Sequence, residues 1–264
     1  MHLTIAIPTY NRCDYLKKNI EVFDSMRRPP GLNVSLSISN SASIDETENY
    51  LSGLEMKRND LQLFNQVTDW NGGNFGYLSQ TIPKNVDWVW FMGDDDFLFD
   101  ESSIWQVWEV IKSNQDNEKF GFIHACQARR SSRSGAVITD NVVSLCNRFG
   151  YLEMFGWMSS IVMRRDPFVH ALRKADKRGQ VARNETALEN SHSAFFQARY
   201  LLAEIHEMQG AFIDMPLVEP QEQDMTDASR ERWKNENMGT RYIYVVKDFQ
   251  RLCEWGVPLS NLDE

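Results

Sequence analysis

Residues 86–96 read Val86-Asp87-Trp88-Val89-Trp90-Phe91-Met92-Gly93-Asp94-Asp95-Asp96, an apolar run of strand length that ends in one glycine and three consecutive carboxylates. Adjacent like charges repel, and desolvating a carboxylate at the end of a buried strand is unfavourable unless a cation or hydrogen-bond donors compensate. A divalent cation meets that need most directly. In an open α/β sheet the carboxyl ends of strands are where ligands bind, so the triplet reads as a site. The plainer alternative is a solvated acidic turn.

Upstream, the chain repeats one unit. Residues 3–7 form a short β-branched run closed by Pro8, and residues 14–26 carry Tyr15, Leu16, Ile20, Val22 and Phe23 at helical spacing. After the breaker Pro29-Pro30-Gly31, residues 34–38 read as a second strand, and Ser43-Ile44-Asp45-Glu46-Thr47 opens a helix with early acids. Residues 61–64 predict a third strand, 71–76 a Gly/Asn-rich loop, 77–82 a short helix and 86–92 the fourth strand. Such βα alternation implies an α/β fold with a mostly parallel central sheet flanked by helices. Periodicity weakens downstream: helix is expected over 103–112, strand over 120–125, a basic Ser-rich loop over 127–135, a long helix over 193–208 and strand over 211–218. A polar segment, 219–237, reads as a mobile loop, and 242–255 as an amphipathic C-terminal helix. The expected organisation is one domain over 1–218, in two halves (1–110 and 111–218), with 219–264 packed on it.

A chain of 264 residues with 42% hydrophobic and 25% charged residues, eight Trp and fifteen Phe has the composition of a globular protein with a substantial core. A net charge of −9 argues against a nucleic-acid partner, whose phosphates require clustered Lys and Arg. Cys13, Cys126, Cys146 and Cys253 are too scattered for a zinc ribbon or a dense disulfide framework, so a reducing compartment is expected. With no basic flank or long apolar stretch near Met1, the expectation is a cytoplasmic protein, its aromatic content compatible with peripheral contact at the inner membrane face.

Three loops should meet at one sheet edge: Pro8-Thr9-Tyr10-Asn11-Arg12, Ser39-Asn40-Ser41-Ala42-Ser43 and Gly93 to Asp96. Together they suit a nucleotide: Tyr10 to stack on a base, Asn40 to bond its edge, Arg12 to meet phosphate, and aspartate-held metal to bridge a diphosphate. His206-Glu207 lacks the second histidine of a zinc-protease helix, the triplet lacks the glycine and terminal glutamate of an EF-hand, and no Gly-Lys-Ser/Thr comes after the Asn/Gly loop.

These residues resemble the inverting family 2 glycosyltransferases of GT-A fold, in which a first strand also ends in Pro-Thr-Tyr-Asn-Arg. The similarity extends to residues 38–47, to the Asn71-Gly72-Gly73-Asn74 loop and to Asp94–Asp96, and is closest to the abequosyltransferase-like subgroup of bacterial surface-polysaccharide enzymes, which shares a glycine followed by three aspartates. It covers residues 1 to about 110 and thins beyond them. The resemblance implies a nucleoside-diphosphate-sugar donor, a glycan or lipid-linked acceptor, and Mn²⁺ or Mg²⁺ on Asp95 and Asp96, with Asp94 on the ribose and Asp96 either reaching the metal through water or facing the acceptor. It implies nucleotide contacts from Pro8, Thr9, Tyr10, Asn11, Arg12, Asn40, Ser41 and Asn74. Where the family carries an aspartate on the base this chain has Asn40, whose amide both donates and accepts, leaving uracil, thymine and cytosine all compatible.

The family's reaction is a single displacement with one carboxylate base, and its base region corresponds here to residues 184–192, with Glu189 first, then His192 and Glu185. An acid in the first turn of a helix is also ordinary dipole chemistry. Trp157 falls on the family's acceptor-side strand, where an aromatic ring stacks on a sugar or else joins the core. Arg129, Arg130 and Arg133 offer a basic loop, and Arg230, Arg232 and Trp233 a segment able to fold over a donor. Two competing readings are a sugar-1-phosphate nucleotidyltransferase, whose glycine-rich basic first loop is absent, and a noncatalytic nucleotide- or glycan-binding module.

Overall fold

The computed structural model describes residues 1–65, 73–182, 196–220 and 238–262. Four parallel strands, β1 (His2–Thr9), β2 (Asn33–Asn40), β3 (Leu61–Asn65) and β4 (Trp88–Phe91), arise from the βα repeat. The helices α1 (Cys13–Ser25), α2 (Thr47–Glu55) and α3 (Gly73–Thr81) lie between them. α3 begins earlier than its pattern predicts, so Asn74 lies in its first turn rather than in an open loop. The first three strands step outward in the order β3-β2-β1, and β4 then pairs on the other side of β1. The strand order therefore reverses between β1 and β4, which is where an open α/β sheet places its ligand crevice.

Beyond β4 the sheet is mixed. β8 (Ile161–Arg164) runs antiparallel between β4 and β6 (Phe120–Gln127); β9 (Gln209–Pro220) is parallel to β6, and β5 (Asp96–Leu98) and β7 (Val137–Asn141) pair antiparallel with β9. The parallel expectation describes the β3–β4 half and the β6–β9 pair, while short antiparallel strands fill the remainder of one nine-stranded sheet. Around it lie α4 (Ser103–Ser113), α5 (Val142–Phe149), α6 (Tyr151–Phe155), α7 (Arg165–Ala182), α8 (Phe196–Ile205) and α9 (Met238–Glu254). Among the described residues no helix is long and apolar enough to cross a membrane.

Strand β4 shows why both faces are covered. Alternate side chains of a strand point to opposite faces, and Trp88 and Trp90 join a core with Leu16, Ile20, Phe23, Val107 and Ile111, whereas Val89 and Phe91 join another with Leu78, Met154, Phe168 and Leu172. All four strand residues are buried, so the chain that emerges at Met92 is held rigidly from both sides. The turn from Gly93 to Asp96 therefore starts from a fixed position.

Candidate functional site

The aspartate turn is tied to both neighbours of β4. From the end of β1, Thr9 Oγ1 donates to Asp94 Oδ2 at 2.8 Å, and from the loop before α1, Arg12 Nη1 lies 2.5 Å from Asp95 Oδ2 and 3.8 Å from Asp94 Oδ1. From α1, the buried Asn19 donates to the carbonyls of Gly93 (3.2 Å) and Asp96 (2.7 Å). From the turn before β8, Ser159 Oγ accepts the Gly93 N–H at 2.8 Å and donates to Asp96 Oδ2, while its carbonyl accepts Trp90 Nε1–H at 2.8 Å. A side chain cannot be added to Gly93 without crowding these groups, because a Cβ there would stand 3.1 Å from Asp95 Oδ1 and 3.2 Å from Asp96 Oδ2.

The electrostatics are unbalanced. Burial, and after it the negative charge of Asp95, pushes the Asp94 carboxyl up to about 7, against the pull of Arg12, Thr9 and the Tyr10 N–H. The same two causes raise Asp96 to about 6 against Ser159, Arg12 and Arg129. Among the described residues three carboxylates thus share one close guanidinium, and the oxygen-only donor set suits a hard divalent ion such as Mg²⁺ or Mn²⁺. Asp95 and Asp96 would hold such an ion, which would supply positive charge to an anionic ligand bound there.

The other two loops are stitched together beside this turn. Asn11 takes the left-handed conformation (φ +53°), which asparagine tolerates; its N–H donates to Ser43 Oγ at 2.9 Å and its Oδ1 accepts the Ile44 N–H at 2.7 Å. Ala42 adopts φ +53° as well, a conformation costing a β-carbon about 1–2 kcal/mol, so the surrounding bonds impose it. Asp45 bridges the starts of two helices by accepting from Cys13 N (3.1 Å) and Thr47 N (3.0 Å). Burial raises its pKa, but these bonds outweigh it and hold the carboxyl below its ordinary value.

The predicted residues fall unevenly around this centre. Thr9, Tyr10, Arg12, Asp94 and Asp95 converge directly; Pro8 is one residue back on β1, in register with Ser39. Asn40 is fully buried, its Oδ1 accepting from Ser43 N and Oγ and its Nδ2 donating to Asn65 at 3.0 Å, so in this state it shapes the loop. Ser41 is buried with its hydroxyl unpartnered, as is the hydroxyl of Ser39. Trp157 is 40% exposed, its ring 5.9 Å from the Arg130 guanidinium. The Asn74 side chain, Glu185, Glu189, His192, Arg230, Arg232 and Trp233 lie outside the described residues. Sequence reasoning missed Asn19 and Ser159. Asn19 was detectable as a polar residue among the buried positions Cys13, Leu16, Ile20 and Phe23 of α1, whereas nothing distinguished Ser159 from Ser160.

No family model matches the chain. Part of it is 29% identical over 110 residues to abequosyltransferase RfbV of Salmonella typhimurium, covering 39% of this chain and 30% of that protein. The chain spans about a third of the length of the curated relatives it matches. Among solved structures, Staphylococcus aureus TarS 1–349 in complex with UDP-GlcNAc superposes with a TM-score of 0.58 at 12% identity, covering 85% of this chain and 59% of that one. The mannosyltransferase PcManGT from Pyrobaculum calidifontis, in complex with GDP-Man and Mn²⁺, gives 0.60 at 11% identity, covering 96% and 64%. Curated relatives and structural neighbours alike carry glycosyltransferase names or nucleotide-sugar ligands, in keeping with the family resemblance: the chain is built on the fold of the GT-A-type glycosyltransferases.

Proposed function

We propose that this protein transfers a sugar from a nucleoside-diphosphate donor to a glycan or lipid-linked acceptor, with inversion at the anomeric carbon and with Mn²⁺ or Mg²⁺ held by Asp95 and Asp96. The observation that carries this reading is the convergence of Thr9, Arg12 and the aspartate turn on the β1/β4 reversal of a GT-A-type sheet. Relatives and neighbours carry the names of an abequosyltransferase and a mannosyltransferase, and TarS has been crystallised with a UDP-sugar, which supports transfer over simple binding. A role in bacterial surface polysaccharide rests on the abequosyltransferase resemblance alone.

In this reading Arg12 does two jobs. Without donor it neutralises Asp95; with donor and cation bound, its guanidinium becomes available for a phosphate oxygen, which its planar fork suits. Asp94, anchored by Thr9 and the Tyr10 amide, presents an acceptor to the ribose, and Tyr10 and Asn11, in the loop after β1, take the base side. Glu189, with His192 and Glu185 as alternatives, takes the proton from the attacking acceptor hydroxyl. Trp157 stacks on the acceptor sugar.

The test is release of nucleoside diphosphate from UDP-, GDP-, CDP- and TDP-sugars in the presence of saccharide acceptors, with NMR assignment of the product's anomeric configuration. Turnover of one donor with an inverted anomer is expected. Retention, or turnover unchanged in Asp95→Asn, would overturn the reading.

A further inference from the structure

We propose that His124, Cys126 and Glu153 form a second metal site, buried and of zinc type, distinct from the aspartate turn. His124 and Cys126 are two residues apart on β6 and so share one face of the strand, and Glu153 reaches the same point from α6. Their ligand atoms all lie within 4.8 Å of one another. A tetrahedral zinc with bonds of about 2.0–2.3 Å separates its ligands by roughly 3.3–3.8 Å; His124 Nε2 and Glu153 Oε1 are already 3.7 Å apart. Contraction by about 1 Å closes the set.

The histidine gives the independent sign of a missing partner. Its Nδ1 faces the Met154 carbonyl at 3.3 Å, an acceptor, which assigns the ring proton to Nδ1 and leaves the Nε2 lone pair pointing at the triad. Nε2 is buried and without a hydrogen bond, at 3.7 Å too far from Glu153 to make one. The ring is only 1% exposed and is held flat against Phe212, with centroids 5.0 Å apart. A buried unpaired nitrogen costs free energy; a cation would satisfy it. The N/S/O donor set is softer than the all-oxygen set of the aspartates and selects a different ion.

The site is one strand from the chemistry. His124 is in register with Ile161 of β8, directly after the Ser159–Ser160 turn that holds Asp96. Glu153 is ion-paired to Arg130, whose guanidinium also faces Trp157. Zinc on Glu153 takes over that charge, pins α6 to β6 and frees Arg130 toward the Trp157 face. The ion is thus a brace for the acceptor wall, and Arg130 its competitor in the metal-free protein.

The probe is Co²⁺ titrated into chelator-stripped protein. One equivalent should give the intense visible bands of a tetrahedral site and a thiolate-to-cobalt charge-transfer band, equally in wild type and Asp95→Asn, with Zn²⁺ erasing both. The charge-transfer band should vanish in Cys126→Ser, and Co²⁺ should bind at least ~10-fold more weakly to Glu153→Gln. No such band in wild type, or its survival in Cys126→Ser, overturns the proposal. Should circular dichroism show Cys126→Ser unfolded, Glu153→Gln decides: a loss of that size supports the site and unchanged affinity refutes it. Because Asp95→Asn removes the donor-site metal, failure here is separable from failure of the transferase reading.

Discussion

Two buried clusters of opposite charge differ in a way that separates structure from function. Between α8 and α9, Arg199 and Asp248 form an ion pair at 2.8 Å, their side chains 5% and 3% exposed. At the aspartate turn, three carboxylates face one close guanidinium among the described residues, and burial followed by the charge of Asp95 lifts two of them to about 7 and about 6. The first cluster is balanced by the chain itself. Among the described residues the second carries more carboxylates than close cations, the kind of charge excess that a bound cation would offset.

That contrast can be broken by substitution. Asp248→Asn strands a buried guanidinium and should destabilise the protein by roughly 3–5 kcal/mol, read as a lower midpoint in urea, while nucleotide binding per folded molecule stays unchanged. Asp96→Asn should do the reverse: in metal-free protein near neutral pH it removes a repelled carboxylate and stabilises by roughly 1–2 kcal/mol, while weakening Mn²⁺ binding. If both substitutions destabilise alike, the clusters are of one kind and the distinction falls.

The pH dependence has a determined sign. Asp94 and Asp96 have folded-state pKa values raised above the ordinary 3.8, so the folded state holds these protons more tightly than the unfolded one. Their contribution to stability is full below about pH 4 and is lost as the pH rises through about 6 and about 7. Melting temperatures of chelated protein should decline over that window because of these groups, and saturating Mn²⁺ should flatten the decline. A slope indifferent to metal contradicts the assignment. Ser159→Ala, the mildest change, removes the acceptor for Gly93 N–H and the donor to Asp96; a loss of about 1 kcal/mol and weaker metal binding are expected, against no effect if the turn holds itself.

The halves of the molecule were also unequally legible. Strands β1 and β4 and the aspartate triplet could be read because they are continuous apolar runs between turn signals, and β2 because Val34, Leu36 and Ile38 alternate with serines. The β5 and β7 strands could not: they are three and five residues long, and β7 has no buried side chain. The α7 helix was readable but unassigned, since Phe168, Ala171, Leu172 and Ala175 form a buried stripe at helical spacing. In the site, charge announced itself and positioning did not. Three aspartates in a row are improbable without a purpose, whereas Asn19 and Ser159 are single polar residues whose importance arises only when the sheet brings them to Gly93.

That the aspartate turn is a metal-dependent nucleotide site is tested most directly by calorimetric titration of UDP, CDP, GDP and TDP, with and without Mn²⁺, into wild type and Asp95→Asn. Binding of one nucleotide that requires Mn²⁺ and disappears in Asp95→Asn is the expected result. A folded wild-type protein that binds none of the four, or binds one equally well without metal and without the Asp95 carboxylate, would contradict it.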